Sequence, residues 1–358
     1  MGNLAFAGSH SVNGVSALHT DLMKVTVFAD LHNLYPTRIN NKTNGVTYRR
    51  WLMQCNPGLT GLIREAIGDK FLDDAEALRD LDAFADDKAF QEKFVAVKRA
   101  NKAALSDLLR KRLNARIDPS AMFDIQIKRI HEYKRQLLNI IEAVSLYDQI
   151  RSHPERDWVP RVKLFGGKAA SSYHNAKLII KLAGDVARAV NHDPAVQGLL
   201  KIQFVPNYNV SMAEVMIPAA DLSEQISTAG MEASGTGNMN GANVEMRDHV
   251  GEDNIIIFGL TAQAVNDRRA KGYVPMDVIG ESRELSQALH AIASGVFSPD
   301  DPDRYKGLIQ GIYDNDWFML AADFDSYSAA QRRVDRLWTD EALWAKMAIH
   351  NVARMGWF

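Results

Sequence analysis

Eight consecutive residues, Lys128-Arg129-Ile130-His131-Glu132-Tyr133-Lys134-Arg135, place five potentially cationic side chains next to one another. Lysine and arginine supply charge-assisted donors, so a phosphate or similar oxyanion is the partner that such a density suits. A solvated basic turn is the plainer alternative. A second segment, Glu232-Ala233-Ser234-Gly235-Thr236-Gly237-Asn238-Met239, combines two glycines with two hydroxyls. Gly235 and Gly237 allow backbone N–H groups to approach a ligand closely, and Ser234 and Thr236 add donors, which makes a phosphate nest. No Gly-Lys-Ser/Thr follows, so this is not a Walker loop, and a lone GxG also fits an ordinary turn. Tyr208, in Pro206-Asn207-Tyr208-Asn209, could face a planar ring or fill core. No metal site is expected: His10 and His19 stand nine apart, His131 and His174 are isolated, and there is no HExxH. A GxSxG serine elbow is also absent.

The elements that must carry these residues follow from periodicity. From about Asp87 to Leu113, Phe90, Phe94, Val97, Leu105, Leu108 and Leu109 recur at helical spacing, with Asp86 or Asp87 as N-cap. After Pro119, Phe123, Ile125 and Ile127 alternate with Asp124, Gln126 and Lys128, a strand period, and Gln136 to Ile150 returns to helical spacing. The sequence of strand, turn and helix recurs at Val162–Phe165 with Tyr173–Val190, and at Lys201–Val205 with Ser211–Ile217. Asn254 to Phe258 is another apolar, β-branched run, and the chain from about Pro275 is mostly helical by spacing.

Short strands alternating with helices predict an α/β fold, a Rossmann-like parallel sheet flanked by helices. Ligands of such sheets sit beyond the C-terminal strand ends, so the segments after Ile127, Phe165 and Val205 should converge on one cleft. The expected organisation is a mostly helical first part over 1–120, a Rossmann-like core with the ligand loops over 121–274, and a C-terminal helical segment of the same domain over 275–358.

The 358 residues are 46% apolar and 24% charged, enough to bury a large core. The net charge of −2 offers no whole-chain field for nucleic acid or an anionic membrane, so anion sites must be local. Cys55 is the single cysteine, which excludes an internal disulfide framework or a CxxC centre and fits a reducing cytoplasm. No stretch reaches the roughly 18 apolar residues of a membrane span, and no signal peptide is read at Met1 to Gly8. Phe6 stands where a myristoylation motif wants Ser or Thr.

Taken together, the segments resemble the α-glucan phosphorylases of glycogen, starch and maltodextrin. The resemblance runs through Ala7 to Val15, Asn41 to Thr47 with Arg49-Arg50-Trp51, and Lys128 to Asn139. It continues through Gly166 to Ala170, Ile217 to Ser227 and Glu232 to Met239. It implies the C-terminal domain of a GT-B glycosyltransferase, with the N-terminal domain absent. The implied reaction is phosphorolysis of a terminal α-1,4-glucosyl unit by inorganic phosphate, giving glucose 1-phosphate with retention, with pyridoxal phosphate acting through its own phosphate as proton partner of the substrate phosphate. By motif position, Arg129 and Lys134 would bind substrate phosphate, and Lys128 with the Gly235–Thr236 backbone would hold the cofactor phosphate. Tyr208 and Trp51 would line the cofactor ring. His10, Val15, Asn44, Tyr133, Glu232, Ser234 and Gly235 would contact the glucosyl unit. The resemblance carries glycogen catabolism with it, dimer contacts expected in the absent half, and no nucleic-acid or membrane partner.

The family pattern is interrupted at one place. Gly-Thr-Gly-Asn-Met is followed in the family by the lysine that forms a Schiff base with pyridoxal phosphate, and then by an apolar run. Here Met239 is followed by Asn240 and directly by Gly241-Ala242-Asn243-Val244-Glu245-Met246, so about a dozen or slightly more residues are missing. Two other readings follow: a catalytically incompetent remnant that binds glucan or anions, and a nucleotide-sugar GT-B glucosyltransferase. The second should carry a different acidic and glycine pattern at the donor site.

Overall fold

The computed structural model describes residues 1–232 and 243–357. Two compact units are found: Met1–Phe90 with Glu232–Ile255 and Lys346–Phe358, and Gln91–Met231 with Ile256–Ala345.

In the first unit, β1 (Val12–Gly14) pairs in parallel with β2 (Ile39–Asn41), and the helix Ala17–Val25 lies between them in sequence. Ser16 caps this helix by accepting from the His19 N–H. Gly14 is required where it stands, because a Cβ there would meet the Thr20 Cα at 2.7 Å. Helix Pro57–Ile67 has Asn56 as its cap and Pro57 in its first turn, and it buries Leu59, Leu62 and Ile63 along one face.

The second unit holds a four-stranded sheet: β3 (Met122–Ile127), β4 (Arg161–Gly166), β5 (Leu200–Val205) and β6 (Leu222–Ser223). The strand order is β5-β4-β3-β6, and every pair is parallel. Helices Gln136–Ser152, His174–His192 and Val210–Ala219 follow β3, β4 and β5, as the alternating periodicities predict. The expected long helix is Lys88–Leu113, and of the two candidate caps it is Asp87 whose carboxylate accepts from the Phe90 N–H. Asn254–Phe258 stays outside the sheet: its first residue ends a 3₁₀ turn and the rest is irregular. The C-terminal part is helical, most extensively at Leu320–Trp338 and Glu341–Ala353.

The apolar and polar alternation in β3 does not mark a solvated face, since all six residues are buried. Phe123, Ile125 and Ile127 pack with Leu105, Leu109, Met212 and Met216. On the other face Asp124 lies 2.8 Å from Arg161 and 3.1 Å from Lys163, and Lys163 is 2.8 Å from Glu142. Arg161 also pairs with Asp335 at 2.7 Å and donates to Gln331. Lys163 and Arg161 hold the Asp124 and Glu142 carboxyls below their usual range against the opposing effect of burial. Glu224 has no ion pair among the described residues, and the Lys163 charge offsets its burial only in part. Its Oε1 accepts from the Tyr327 hydroxyl and the Gln331 amide, and burial with the nearby Asp124 charge pushes its pKa up to about 8.

Two outcomes are expected. Asp124→Ala leaves Arg161 and Lys163 without their shared counter-ion inside the protein, and should cost about 3–5 kcal/mol in urea unfolding. Folded Glu224 keeps its proton up to about pH 8, whereas the unfolded side chain releases it near 4.5. Its contribution is therefore complete below pH 4.5 and is lost as pH rises through 8. Glu224→Gln should flatten that decline, seen by comparing denaturation midpoints at acidic and mildly alkaline pH.

Candidate functional site

The C-terminal ends of β3, β4 and β5 are level, with Ile127 opposite Gly166 and Gly166 opposite Val205. Their loops therefore leave the sheet at one edge, where a parallel α/β fold places ligands. They also touch. The Lys128 N–H donates to the Gly166 carbonyl at 3.0 Å, and the Ile130 N–H to the Lys168 carbonyl at 3.1 Å. A Cβ on Gly167 would stand 2.1 Å from the Lys128 carbonyl oxygen, so this approach admits only glycine. The Tyr208 ring packs over Gly166, where an added Cβ would lie 3.4 Å from its Cδ2. Tyr208 thus packs on the core side formed by Ile127 and Val205 while standing at the ligand edge, and burial raises its phenol pKa.

The basic segment folds as a short 3₁₀ turn, Glu132–Lys134, leading into helix Gln136–Ser152. Its five cationic side chains have different roles. Lys128 is buried and donates to Gln225 Oε1 at 2.9 Å. Arg129 is exposed, and its carbonyl accepts from the Gln136 amide. Lys134 is buried with its ammonium 4.8 Å from the centre of the Tyr133 ring. His131 lies between the rings of Tyr133 and Tyr173, with centroids 4.6 and 4.8 Å away. Burial, aided by Lys134, moves its imidazole below the ordinary pKa, so it adds little positive charge at neutral pH.

Arg135, one of the five potentially cationic residues, is neither solvated nor open to an oxyanion. Its backbone is left-handed at φ 57°, and its guanidinium is buried. It donates to the Ile226 carbonyl at 2.6 Å, to the Met319 carbonyl and to Asp323 at 2.5 Å. Asp323 in turn accepts from the Leu260 N–H at 2.9 Å. At the other end of the turn, Glu132 accepts from the Tyr173 hydroxyl at 2.6 Å and the Asn175 amide at 3.1 Å. The Tyr133 carbonyl accepts from the Thr228 N–H. Gln225, Thr228, Tyr173, Asn175 and Asp323 are the braces that sequence reasoning missed; only the Gly166-Gly167 pair signalled a close approach.

Among the candidates in the first unit, Val15 and Asn44 are joined directly, the Asn44 N–H donating to the Val15 carbonyl at 3.0 Å. The Val15 N–H donates to His19 Nδ1 at 3.1 Å. His10 is exposed just before β1. Trp51 is half-buried in the wide helical turn Arg49–Gln54, and Glu232, also half-buried, belongs to the same unit. Ser234, Gly235 and Thr236 lie outside the described residues. Among the described residues no group of His, Cys, Asp and Glu is arranged to hold a metal ion, and no helix is long and apolar enough to cross a membrane.

A family model described as carbohydrate phosphorylase matches residues 1–358. The human muscle form of glycogen phosphorylase is 45% identical over 371 residues, covering all of this chain and 44% of its own length. The mouse brain form is 46% identical with the same coverage, and the Haemophilus influenzae glycogen phosphorylase is 44% identical, with 45% of its own length covered. This chain therefore spans less than half the length of these curated relatives. Each comparison extends over 371 residues, 13 more than the chain has.

Gly167→Ala is expected to force the ends of β3 and β4 apart. It should destabilise by about 1–3 kcal/mol and weaken binding of inorganic phosphate, measured calorimetrically. Gly184→Ala, in helix His174–His192 with open space around its Cα, is the control: it should leave anion binding unchanged and stabilise by about 0.4–1 kcal/mol.

Proposed function

Because the chain belongs to the carbohydrate phosphorylase family, we propose that it is the cofactor- and phosphate-binding part of an α-1,4-glucan phosphorylase. The whole enzyme would release terminal glucosyl units as glucose 1-phosphate. The observation that supports the reading is the braced turn beyond β3, which carries Lys128, Arg129 and Lys134 just past the C-terminal end of the strand. Bringing two phosphates side by side is unfavourable unless fixed positive charge offsets their repulsion, and a preorganised turn does this without reorganising during reaction.

The residues present suit a phosphorylated aromatic ligand. Lys128 is a buried cation beside the Gly166-Gly167 approach, and the Tyr208 ring lies over Gly166. In this reading Lys128 and the Gly235–Thr236 backbone hold the phosphate of pyridoxal phosphate, while Tyr208 and Trp51 serve its ring. When bound, the cofactor supplies a phosphate that exchanges a proton with the substrate phosphate. Arg129 and Lys134 bind and orient inorganic phosphate. Tyr133 in the second unit, and His10, Val15, Asn44 and Glu232 in the first, occupy the positions that contact the glucosyl unit in the family motif, as do Ser234 and Gly235. Residues 121–274 then form the core with the ligand loops, between a helical first part over 1–120 and a helical C-terminal segment over 275–358. The partners are α-1,4-glucan, phosphate and the N-terminal half of a phosphorylase, with a cytoplasmic location. A homodimer of the full-length enzyme is a compatible assembly.

Covalent anchoring does not fit. Asn240 follows Met239 where the family places its lysine, and the 13-residue difference in aligned length agrees with a missing segment of that size. The same observation favours a second reading, an anion- or glucan-binding remnant without catalytic competence.

The chain alone is expected to bind inorganic phosphate and glucose 1-phosphate, and Arg129→Ala or Lys134→Ala should each weaken this by about tenfold or more. A wild-type chain that binds neither anion overturns the reading. Incubation with pyridoxal phosphate followed by borohydride reduction should return the unmodified intact mass, and maltoheptaose with phosphate should yield no glucose 1-phosphate. A reduced lysine adduct, or phosphorolysis by the chain alone, would show that the anchor is dispensable or replaced.

A further inference from the structure

Helix Ala17–Val25 is amphipathic, and its apolar side is turned to solvent. Leu18, Leu22 and Val25 follow one another at spacings of four and three, which places them on one helical face. They are 44%, 40% and 72% exposed. The opposite face is fixed: Thr20 and Met23 are buried, Thr20 Oγ1 donates to Asn41 Oδ1 at 2.9 Å, and Gly14 lies close against Thr20. The helix therefore cannot roll to bury its leucines without breaking its seat on β1 and β2. The apolar exposure continues into the next segment, where Val27, Leu34 and Tyr35 are also exposed. Asp21 and Lys24, the charged residues of the helix, pair with each other at 3.1 Å.

A stripe of this kind in a soluble protein marks a surface made to be covered. The chain matches its relatives along its whole length but accounts for only 44% of theirs, so more than half of a phosphorylase lies outside it. We propose that the Leu18–Leu22–Val25 face is the seat of that remaining part of a phosphorylase chain, which meets it with an apolar surface of its own. This rests on the phosphorylase reading and adds where the missing half docks. Apolar residues set at a three-four spacing on a rigid helix suit an apolar groove or sheet face better than a charged partner.

The test is co-expression of the chain with the portion of the Haemophilus influenzae glycogen phosphorylase outside the matched region, as a separate polypeptide. The wild-type chain should co-purify with it as a one-to-one complex by native mass spectrometry. Leu18→Glu with Leu22→Glu should lower the recovered complex at least tenfold while leaving circular dichroism and melting midpoint unchanged, because both side chains are already exposed. Val274→Glu with Met276→Glu, exposed apolar residues of the other unit, should not alter recovery. Failure of the wild-type chain to form the complex, or equal recovery with the Leu18/Leu22 variant, overturns the inference. A wild-type homodimer that dissociates in that variant also overturns it, by assigning the face to a second copy. Phosphate and glucose 1-phosphate binding, measured on the same samples, separates the two levels. A chain that binds these anions but no partner loses only the docking inference, and one that binds neither loses the phosphorylase reading as well.

Discussion

Strand β3 is buried on both faces, and its alternate residues Asp124 and Gln126 must be satisfied without water. A buried carboxylate is tolerable only with cations and donors at close range. Arg161 and Lys163 on the neighbouring strand provide the cations, and those cations need carboxylates of their own in Glu142 and Asp335. The requirement spreads outward until it reaches helix Leu320–Trp338. That helix contributes Asp323, Tyr327, Gln331 and Asp335, four residues at a repeat of four and hence on one side. Tyr327, Gln331 and Asp335 serve the polar network, and Asp323 reaches Arg135 at the ligand edge. One stripe of side chains thus neutralises the sheet interior and braces the basic turn beyond β3.

Much of the fold was legible in the sequence because its signals are local. Each strand run ends in a turn of basic, glycine or asparagine residues and gives way to helical spacing, and parallel connections leave few ways to assemble such units. The convergence of the segments after Ile127, Phe165 and Val205 follows from that topology, and the register across the three strands bears it out. The alternation in β3 was harder to read, since the same pattern describes a strand wet on one side and a strand with an internal ion network. What distinguishes them is Arg161 and Lys163, whose meaning depends on pairing with a strand some forty residues away.

The candidate site was legible as a composition and not as a division of labour. Arg129 and Arg135 are indistinguishable by type and flank the same few residues, yet one is exposed and the other is a buried strut. His131 counts as a potential cation in the sequence and is held toward neutrality by its burial between two tyrosines. The positive charge that the turn leaves uncommitted is therefore smaller than a tally of basic residues suggests.

The left-handed residue that closes the turn has a consequence for how the protein is made. Arg135 occupies a backbone region that ordinary side chains visit at a cost, and its guanidinium is held by the Ile226 and Met319 carbonyls and by Asp323, the last 188 residues further along the chain. Contacts of such separation form late, because the entropy of closing the loop must be met before they contribute. The strands can pair while the distal helix is still unsynthesised, but Arg135 then lacks two of its three acceptors. During synthesis on the ribosome the scaffold thus precedes the turn it carries, and a nascent chain does not complete the bracing of Arg135 until helix Leu320–Trp338 has emerged and docked.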